Sequence, residues 1–239
     1  MGRFNINIQP LGENYLLCSW PAKISVEISE ELLAFEQFIL KKFNHFILAS
    51  NPAYASLAIR FEIKNITFSE LKLILLKAYQ DFVFNKIESK KYWEIPVCYD
   101  PELGPDLLEA CDRTSLDLET FIKLHTKPFY RIYFIGFLPG FLYLGGLNEK
   151  LFIPRKSTPR LKVPMGAVGI AGSQTGIYPQ NSPGGWQLIG QTKVSLFHSN
   201  QKIPTPFQAG EHIKFTSISK TDFTLASTLP ILKTRVIHE

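Results

Sequence analysis

The sequence predicts a small α+β domain followed by a mainly-β domain. Patterns typical of strands and helices alternate over residues 1–91, whereas eleven of the 15 glycines and six of the 16 prolines lie within Gly136–Thr192. Glycine permits positive φ angles and proline fixes φ, so this density specifies a particular backbone path. Because large apolar residues are interleaved with them, we expect folded, turn-rich β structure and not a disordered linker.

The first domain is predicted to contain two amphipathic helices among its strands. Ser29 is a candidate cap for the first helix. Thr67 and Glu70 have the spacing of a capping box, so a second helix is expected to begin at Thr67. The predicted elements are a strand at Tyr15–Trp20, a helix with Leu32, Phe35, Ile39 and Phe43 inside, strands at His45–Ser50 and Ser56–Glu62, and a helix with Leu71, Leu75, Ala78 and Phe82 inside.

A last strand, Tyr92–Tyr99, follows the polar stretch Asn85–Lys91, which is predicted to be a linker. The order strand, helix, strand, strand, helix, strand is that of a ferredoxin-like α+β domain, with the helices packed on one face of a sheet. We therefore expect a small α+β domain over residues 1–91 and a mainly-β domain over residues 92–239.

The second domain is predicted to begin with two short helices, Asp106–Cys111 and Leu116–His125, and a strand at Tyr130–Ile135. Short apolar runs separated by turn signals then recur along the chain. These runs are Val163–Ile170, Gln187–Ile189, Val194–Phe197 and His212–Phe215. This spacing is typical of a β-barrel or a β-sandwich.

The composition is that of an ordinary soluble protein, with 45% hydrophobic and 20% charged residues. The N-terminus lacks an apolar signal core and no run of 18 apolar residues is present, so we expect a cytoplasmic protein without a membrane partner. Cys18, Cys98 and Cys111 are odd in number and widely spaced, which fits reduced thiols. The pI is near 9.0, but the sequence has no run of five basic residues and no zinc-finger spacing, which disfavours nucleic-acid binding.

Common catalytic motifs are absent from the sequence. It contains no phosphate-binding loop of the G-x-x-x-x-G-K-[ST] type, no G-x-G-x-x-G after a strand and no G-x-S-x-G nucleophile turn. The five histidines do not have the spacing of metal ligands, so no metal site is expected. Any catalysis by this chain alone would therefore need an unconventional set of residues.

The glycine- and proline-rich segment is also basic, with five cations against a single acid. Arg155 and Arg160 lie five residues apart on a stretch that two prolines stiffen, and each guanidinium has a planar fork that matches a carboxylate or phosphate. Lys162 follows them. The segment is either an anion-binding site or a solvated basic loop.

Three further features are candidates for a site, and each has a structural alternative. Ser173, Gln174 and Thr175 between two glycines could form an anion-binding nest or a tight hairpin. Trp186, after a double glycine, could line a pocket or fill the barrel. His125 could serve as a general acid or base, or could be a packed or helix-capping histidine.

From Pro96 to Thr192 the sequence resembles the KipI / allophanate hydrolase subunit 1 family, which is associated with the B subunit of 5-oxoprolinase. The matching motifs are Pro96-Val97-Cys98-Tyr99, Gly104-Pro105-Asp106-Leu107, Leu124-His125, Gly136-Phe137-Leu138-Pro139-Gly140-Phe141, Tyr143-Leu144-Gly145-Gly146, Pro159-Arg160, Val163-Pro164-Met165-Gly166, Gly169-Ile170-Ala171-Gly172, Gly176-Ile177-Tyr178-Pro179, Ser182-Pro183-Gly184-Gly185-Trp186 and Gly190-Gln191-Thr192. Met165 and Gln191 depart from the family's usual residues.

The resemblance implies a cyclophilin-like β-barrel and a subunit of an ATP-dependent 5-oxoprolinase, which opens 5-oxoproline to glutamate together with partner subunits of the A and C types. It implies ATP as cofactor, as Mg-ATP shared with those subunits. In this interpretation His125 carries a proton while Arg155 and Arg160 hold the substrate carboxylate and developing phosphate charge. The implied substrate- or anion-binding residues are Lys162, Ser173, Gln174, Thr175, Tyr178 and Trp186.

Two other functions fit the resemblance. A KipI-like protein would inhibit a sensor histidine kinase by docking on it, and the arginines would then be incidental. An allophanate hydrolase or urea-degradation component is the other alternative. Fold alone does not decide among these functions.

Overall fold

The computed structural model describes residues 2–84, 90–226 and 234–237. The chain divides into two compact units, residues 1–88 and 89–239. In the described residues, no helix has the length and apolar character needed to cross a membrane. The thiols of Cys18, Cys98 and Cys111 are all buried and unpaired, as expected for reduced cysteines.

The described residues of the first unit form four strands and two helices. These are β1 (Asn7–Pro10), β2 (Tyr15–Ser19), α1 (Val26–Lys42), β3 (Ile47–Pro52), β4 (Ser56–Phe61) and α2 (Phe68–Asp81). All strand pairs are antiparallel, and the order across the sheet is β1-β2-β4-β3. The unit is therefore an α+β unit with a single antiparallel sheet.

The capping residues in the sequence predicted the start of α2 correctly and the start of α1 incorrectly. The capping box of Thr67 and Glu70 is present, since each side chain accepts a hydrogen bond from the other residue's backbone N–H. The first helix instead begins after Ser25, whose hydroxyl accepts from the Ile28 N–H. Ser29 is buried within the helix, so its prediction as the cap was wrong.

The ferredoxin-like prediction fails at its last strand. The run beginning at Tyr92 belongs to the second unit, and the edge position beside β2 is filled by β1. The sequence did not signal β1, because only Ile8 of its four residues is buried and no alternation is visible. A strand pattern also does not specify its partner, and the strand that includes Tyr92 pairs with one more than a hundred residues later.

A buried carboxylate joins several parts of the first unit. The side chain of Glu31 is fully buried and accepts hydrogen bonds from Trp20 Nε1 (3.2 Å), the Arg3 backbone N–H (2.7 Å) and the Tyr79 hydroxyl. Burial alone would raise its pKa, but the hydrogen bonds from Tyr79, Arg3 and Trp20 together hold the pKa of Glu31 below its ordinary value. Glu31 is thus ionised in the folded protein at neutral pH.

In its described residues, the second unit is a closed barrel with three α-helices and a short 3₁₀ helix at Glu149–Leu151. Its elements are β5 (Lys90–Cys98), α3 (Leu107–Thr114), α4 (Leu118–Thr126), β6 (Tyr130–Ile135), β7 (Leu142–Gly145), β8 (Arg160–Val163), β9 (Ala167–Ala171), β10 (Gln174–Ile177), β11 (Ser182–Gly184), β12 (Gln187–Gln191), β13 (His212–Ile218), α5 (Lys220–Leu225) and β14 (Thr234–Ile237). This arrangement confirms the prediction of a barrel.

Seven strands close the barrel in the order β12-β9-β10-β7-β6-β13-β5. The ring is completed where Gln191 of β12 pairs with Cys98 of β5. Only β13 and β5 are parallel among these pairs, so the barrel is mixed. The edge strand β14 adds to β5, and β8 with β11 forms a separate two-stranded ribbon.

Two predicted runs differ from the observed strands. Val163–Ile170 is divided between β8 and β9 because Pro164 and Gly166 turn the chain, with Gly166 at φ 81°. Val194–Phe197 is irregular, and its apolar side chains Val194 and Leu196 are buried without a strand pairing. An apolar run therefore indicated burial here and not extended structure.

The buried charge of Glu31 leads to a stability prediction. Replacing Glu31 with Gln should lower the free energy of unfolding at pH 7 by about 2 kcal/mol, because the charge-assisted hydrogen bonds are lost. Since the folded-state pKa is depressed, the deficit should be full above pH ~4.3 and shrink as the pH falls through the folded pKa. Urea titrations at pH 7 and pH 3.5 measure both effects.

The control is Glu30→Gln on the same helix, which should change the free energy of unfolding by less than about 0.5 kcal/mol. Equal losses for the two variants would show that the buried charge of Glu31 does not stabilise the fold.

Candidate functional site

The basic segment Pro154–Arg160 is held in place by the buried carboxylate of Asp106, which is 2% exposed. Oδ1 of Asp106 accepts from Nζ of Lys156 at 2.9 Å and from Nη2 of Arg160 at 2.6 Å, while Oδ2 accepts from the Leu188 N–H at 2.7 Å. One carboxylate thereby connects the start of α3, the strand β12 and the basic segment.

Asp106 stands at the N-cap position of α3, but its side chain makes no capping hydrogen bond. Burial alone would raise its pKa; the hydrogen bonds from Arg160, the Leu188 N–H and Lys156 outweigh this and hold the pKa of Asp106 below its ordinary value. The carboxylate is therefore ionised at neutral pH and matches the two cations that it binds.

Further hydrogen bonds fix the basic segment against the loop before β12. The Lys156 N–H donates to the Gly185 carbonyl at 2.8 Å, and Nε2 of Gln187 donates to the Pro154 carbonyl at 3.2 Å. The Lys156 ammonium also reaches Oε1 of Gln187 at 3.4 Å. The backbone on both sides of Arg155 is thus held in one conformation.

Arg155 is the cation of this segment that Asp106 does not bind. Its side chain is exposed, and its guanidinium carbon lies 6.0 Å from the centroid of the Trp186 ring. In the part of the chain that the structure describes, no carboxylate pairs with Arg155. Its guanidinium is therefore available to an anionic ligand.

Arg155 and Lys156 form part of the wall of a cavity of about 310 Å³, which we call the aromatic cavity. Its lining residues are Phe137, Phe141, Tyr143, Arg155, Lys156, Pro159, Tyr178, Pro183, Gly184, Gly185 and Trp186. Five rings and two cations face one space. Such a surface suits a small ligand with an apolar face and a negative group.

Phe141 organises the aromatic rings. Its centroid lies 5.4 Å from that of Trp186, 5.4 Å from that of Tyr178 and 4.9 Å from that of Tyr143, each in an edge-on orientation. A Cβ atom at Gly184 would lie 2.4 Å from the Tyr178 hydroxyl, so glycine is required for this packing. The rings consequently hold each other in fixed positions.

The rim of the aromatic cavity includes Phe137, which has a φ of 64° and a side chain that is 63% exposed. A positive φ is unfavourable for a bulky residue, and such strain often occurs at functional sites. Its ring meets that of Phe141 edge-on at 5.6 Å.

Inside the cavity, burial raises the pKa values of Tyr143 and Tyr178, so both hydroxyls keep their protons at neutral pH.

A second cavity of about 290 Å³ adjoins the first, and we call it the polar cavity. Its lining residues are Arg113, Arg155, Lys156, Ser157, Thr158 and Gln187. Arg155 and Lys156 belong to both cavities. The boundary between an aromatic space and a polar space is therefore built from two cations.

The structure brings three of the sequence-predicted site residues together, since Arg155, Tyr178 and Trp186 all line the aromatic cavity. Arg160 lies beside it but is engaged with Asp106. Lys162 is an exposed residue of β8.

The glycine-flanked loop is the hairpin that the structural alternative predicted. The loop connects β9 and β10, with Gly172 at φ 59°. Ser173 is exposed, Gln174 is half-buried and Thr175 is buried in the barrel. None of these residues lines either cavity.

His125 is completely buried in the barrel and lines neither cavity. Its Nδ1 lies 2.7 Å from the Tyr99 hydroxyl, and its Nε2 lies 3.0 Å from Oγ1 of Thr175. Because that Thr175 hydroxyl donates to the Gly169 carbonyl, it accepts from His125, which places the imidazole proton on Nε2. Burial lowers the pKa of His125 to about 3, so the ring is neutral at pH 7 and its geometry is that of a packed histidine.

Sequence reasoning missed the role of Asp106, because the sequence indicates only a carboxylate at the end of a helix. It also missed Arg113, Lys156 and Phe141 as lining residues. Lys156 could have been found, because it lies next to Arg155 in the basic segment. Nothing local indicates that Asp106 lies beside Arg160, 54 residues further along the chain.

Comparison with known proteins identifies relatives along most of the chain. The family model of the carboxyltransferase domain, subdomain C and D, matches residues 6–207. The 5-oxoprolinase B subunit of Haemophilus influenzae is 40% identical over 214 residues, which cover 88% of this chain and 97% of that protein. The 5-oxoprolinase B subunit of Bacillus subtilis (strain 168) is 34% identical over 226 residues, covering 90% of this chain and 94% of that protein.

Among solved structures, the crystal structure of TTHA0988 is similar to this chain with a TM-score of 0.76 and 32% sequence identity. The similarity covers 90% of this chain but only 41% of TTHA0988. This chain therefore corresponds to one part of that longer protein.

The central position of Asp106 leads to a second stability prediction. Asp106→Asn should lower the free energy of unfolding by about 2 kcal/mol, because the substitution removes the negative partner of two partly buried cations. Urea unfolding followed by circular dichroism measures the loss. The matched control is Asp112→Asn at an exposed position of the same helix, which should cost less than about 0.5 kcal/mol. Indistinguishable unfolding curves for the two variants would show that the carboxylate does not hold this region together.

Proposed function

Because this chain belongs to the carboxyltransferase domain family, subdomain C and D, we propose that it is the B subunit of a 5-oxoprolinase, which opens the lactam of 5-oxoproline to glutamate. The B subunits of Bacillus subtilis and Haemophilus influenzae, which carry this name, match this chain over 94% and 97% of their own lengths. One structural observation supports the proposal most. Arg155 lies in the wall of the aromatic cavity, and in the described residues no carboxylate pairs with it.

The aromatic cavity is the proposed binding site for 5-oxoproline. The substrate has a small ring with two apolar methylene groups, which fits against the rings of Trp186 and Phe141. Its carboxylate would accept a bidentate pair of hydrogen bonds from the Arg155 guanidinium. The hydroxyls of Tyr143 and Tyr178 keep their protons at neutral pH and can donate to an oxygen of the ligand.

We propose that the reaction depends on ATP. The amide of an unstrained five-membered lactam hydrolyses slowly in water, and phosphoryl transfer from bound ATP would supply the activation of its carbonyl. This chain's contribution is electrostatic: Arg155 and Lys156 stand where negative charge would develop, on a backbone that is held by the hydrogen bonds of the Lys156 N–H and the Pro154 carbonyl. These two cations are the residues of the aromatic cavity that fit phosphate oxygens.

The aromatic cavity lacks groups that hydrolysis requires. Its lining residues include no carboxylate, histidine or thiol, so none of them can act as general base for an attacking water at neutral pH. Within the described ranges, no group of three acidic, histidine or cysteine side chains could hold a metal ion. We therefore propose that partner subunits of the A and C types provide the base and the ligands for Mg²⁺, in a cytoplasmic complex.

Arg160 has a positioning role in this proposal. Its ion pair with Asp106, together with that of Lys156, fixes the segment from which Arg155 projects. The guanidinium of Arg160 would thus influence the substrate through the backbone and not by contact. Lys162, Ser173, Gln174, Thr175 and His125 are outside the proposed contact set.

Deletion of the gene in its host tests the proposal. Intracellular 5-oxoproline should accumulate in the deletion strain, and the wild-type chain should reverse the accumulation. Arg155→Gln should fail to reverse it, because losing a charge-assisted contact of about 1.5–3 kcal/mol reduces kcat/KM roughly 10- to 100-fold.

The matched control for that experiment is Arg60→Gln, which removes an exposed arginine of β4 and should complement like the wild type. The decisive contrary result is an unchanged 5-oxoproline pool after deletion, in a host shown to have no other oxoprolinase. Equal complementation by both variants would refute the role of Arg155 alone.

A further inference from the structure

We propose that the polar cavity is a subsite for a phosphate dianion, placed beside the ligand of the aromatic cavity. The inference rests on the proposed function insofar as the dianion is the phosphoryl group of that reaction. The observation that carries it is the composition of the wall, which combines three cations, two hydroxyls and one amide around about 290 Å³. Each of these groups can donate a hydrogen bond to a phosphate oxygen.

The charges around the polar cavity leave a positive excess. Asp106 and Glu109 are the carboxylates paired with its cations: Asp106 binds Lys156, and Glu109 binds Arg113 at 2.6 Å and approaches Lys156 at 3.6 Å. Asp106 is shared with Arg160 as well, and Arg155 has no carboxylate among the described residues. The three cations of the wall and the neighbouring Arg160 thus share two carboxylates, which leaves an excess of two positive charges that a dianion would balance.

The donors of the polar cavity remain accessible to a ligand. A guanidinium has five N–H groups, and the ion pair of Arg113 with Glu109 runs through Nη2, which leaves other donors of Arg113 for a ligand. Ser157 and Thr158 are exposed, and across the described ranges their hydroxyls make no hydrogen bond to the protein. The donors come from two separate parts of the chain: Arg113 lies on α3, and the two hydroxyls lie on the basic segment.

The shared wall determines how the two ligands would be arranged. Arg155 and Lys156 line both cavities, so an anion bound in the polar cavity contacts the same cations as a ligand in the aromatic cavity. Cations between two ligands stabilise the negative charge that develops as a phosphoryl group approaches a carbonyl oxygen. The Lys156 backbone hydrogen bond to Gly185 and the flanking Pro154 and Pro159 keep this wall rigid.

The subsite can be tested by titrating the ¹⁵N-labelled full chain with inorganic phosphate at constant ionic strength. Amide shifts should concentrate at Arg113 and at residues 155–158. Arg113→Gln should weaken phosphate binding about tenfold, because one charge-assisted contact is removed. The double substitution Ser157→Ala and Thr158→Val should weaken it about threefold, whereas Arg60→Gln should leave it unchanged.

A parallel titration with 5-oxoproline separates this inference from the proposed function. Arg113 does not line the aromatic cavity, so Arg113→Gln should leave 5-oxoproline affinity within about twofold. Equal phosphate affinity of Arg113→Gln and the wild type, or absence of phosphate binding, would overturn the subsite and leave the proposed function standing. Binding of phosphate that depends on Arg113, without any 5-oxoproline binding, would support the subsite and count against the substrate assignment.

Competition with ATP identifies the source of the dianion. If ATP displaces phosphate and its own affinity falls in Arg113→Gln, the subsite receives a phosphate of the nucleotide. If ATP does not displace phosphate, the subsite receives released orthophosphate. Both results support a phosphate subsite, and shifts scattered over the whole basic surface would contradict it.

Discussion

The carboxylate of Asp106 joins three parts of the barrel unit that are distant in sequence: helix α3, strand β12 and the basic segment before β8. Removing such a charge from water is costly, and the cost is offset here by two cations and a backbone N–H. With Lys156 and Arg160 engaged by Asp106, Arg155 is left facing the cavities. The arrangement of the whole candidate site depends on this division of the three cations.

The aromatic side of the site depends on close packing. Phe141 contacts Tyr143, Tyr178 and Trp186 edge-on, and the absence of a side chain at Gly184 lets the Tyr178 hydroxyl approach the backbone. The rings therefore form a rigid surface, with Arg155 near the face of Trp186. An apolar wall next to a cation suits a small amphipathic anion better than a simple salt ion. In the proposed function the cavity supplies recognition and charge stabilisation, and a partner subunit supplies the general base.

Sequence reasoning succeeded where the physical cause is local and failed where it depends on tertiary contacts. Thr67 and Glu70 cap α2 through residues three positions apart, which a sequence displays directly. The short apolar runs and turn signals of the second unit likewise predicted a β-barrel or a β-sandwich, and the family resemblance implied the barrel. By contrast, the partner of β5 and the ion pair of Asp106 with Arg160 join residues far apart in the chain, so no spacing could reveal them. His125 shows the same limit, since the sequence allowed either a catalytic or a packed histidine and the barrel buries it completely.

The most direct test of the account is a crystal structure of the chain with 5-oxoproline bound. The ligand should occupy the aromatic cavity, with its carboxylate within about 3.2 Å of the Arg155 guanidinium, the usual limit of a hydrogen bond, and with its ring against Trp186. The lactam carbonyl should point toward the wall shared with the polar cavity. Density for 5-oxoproline at another place on the chain, with the aromatic cavity empty, would contradict the central claim that Arg155 selects the substrate.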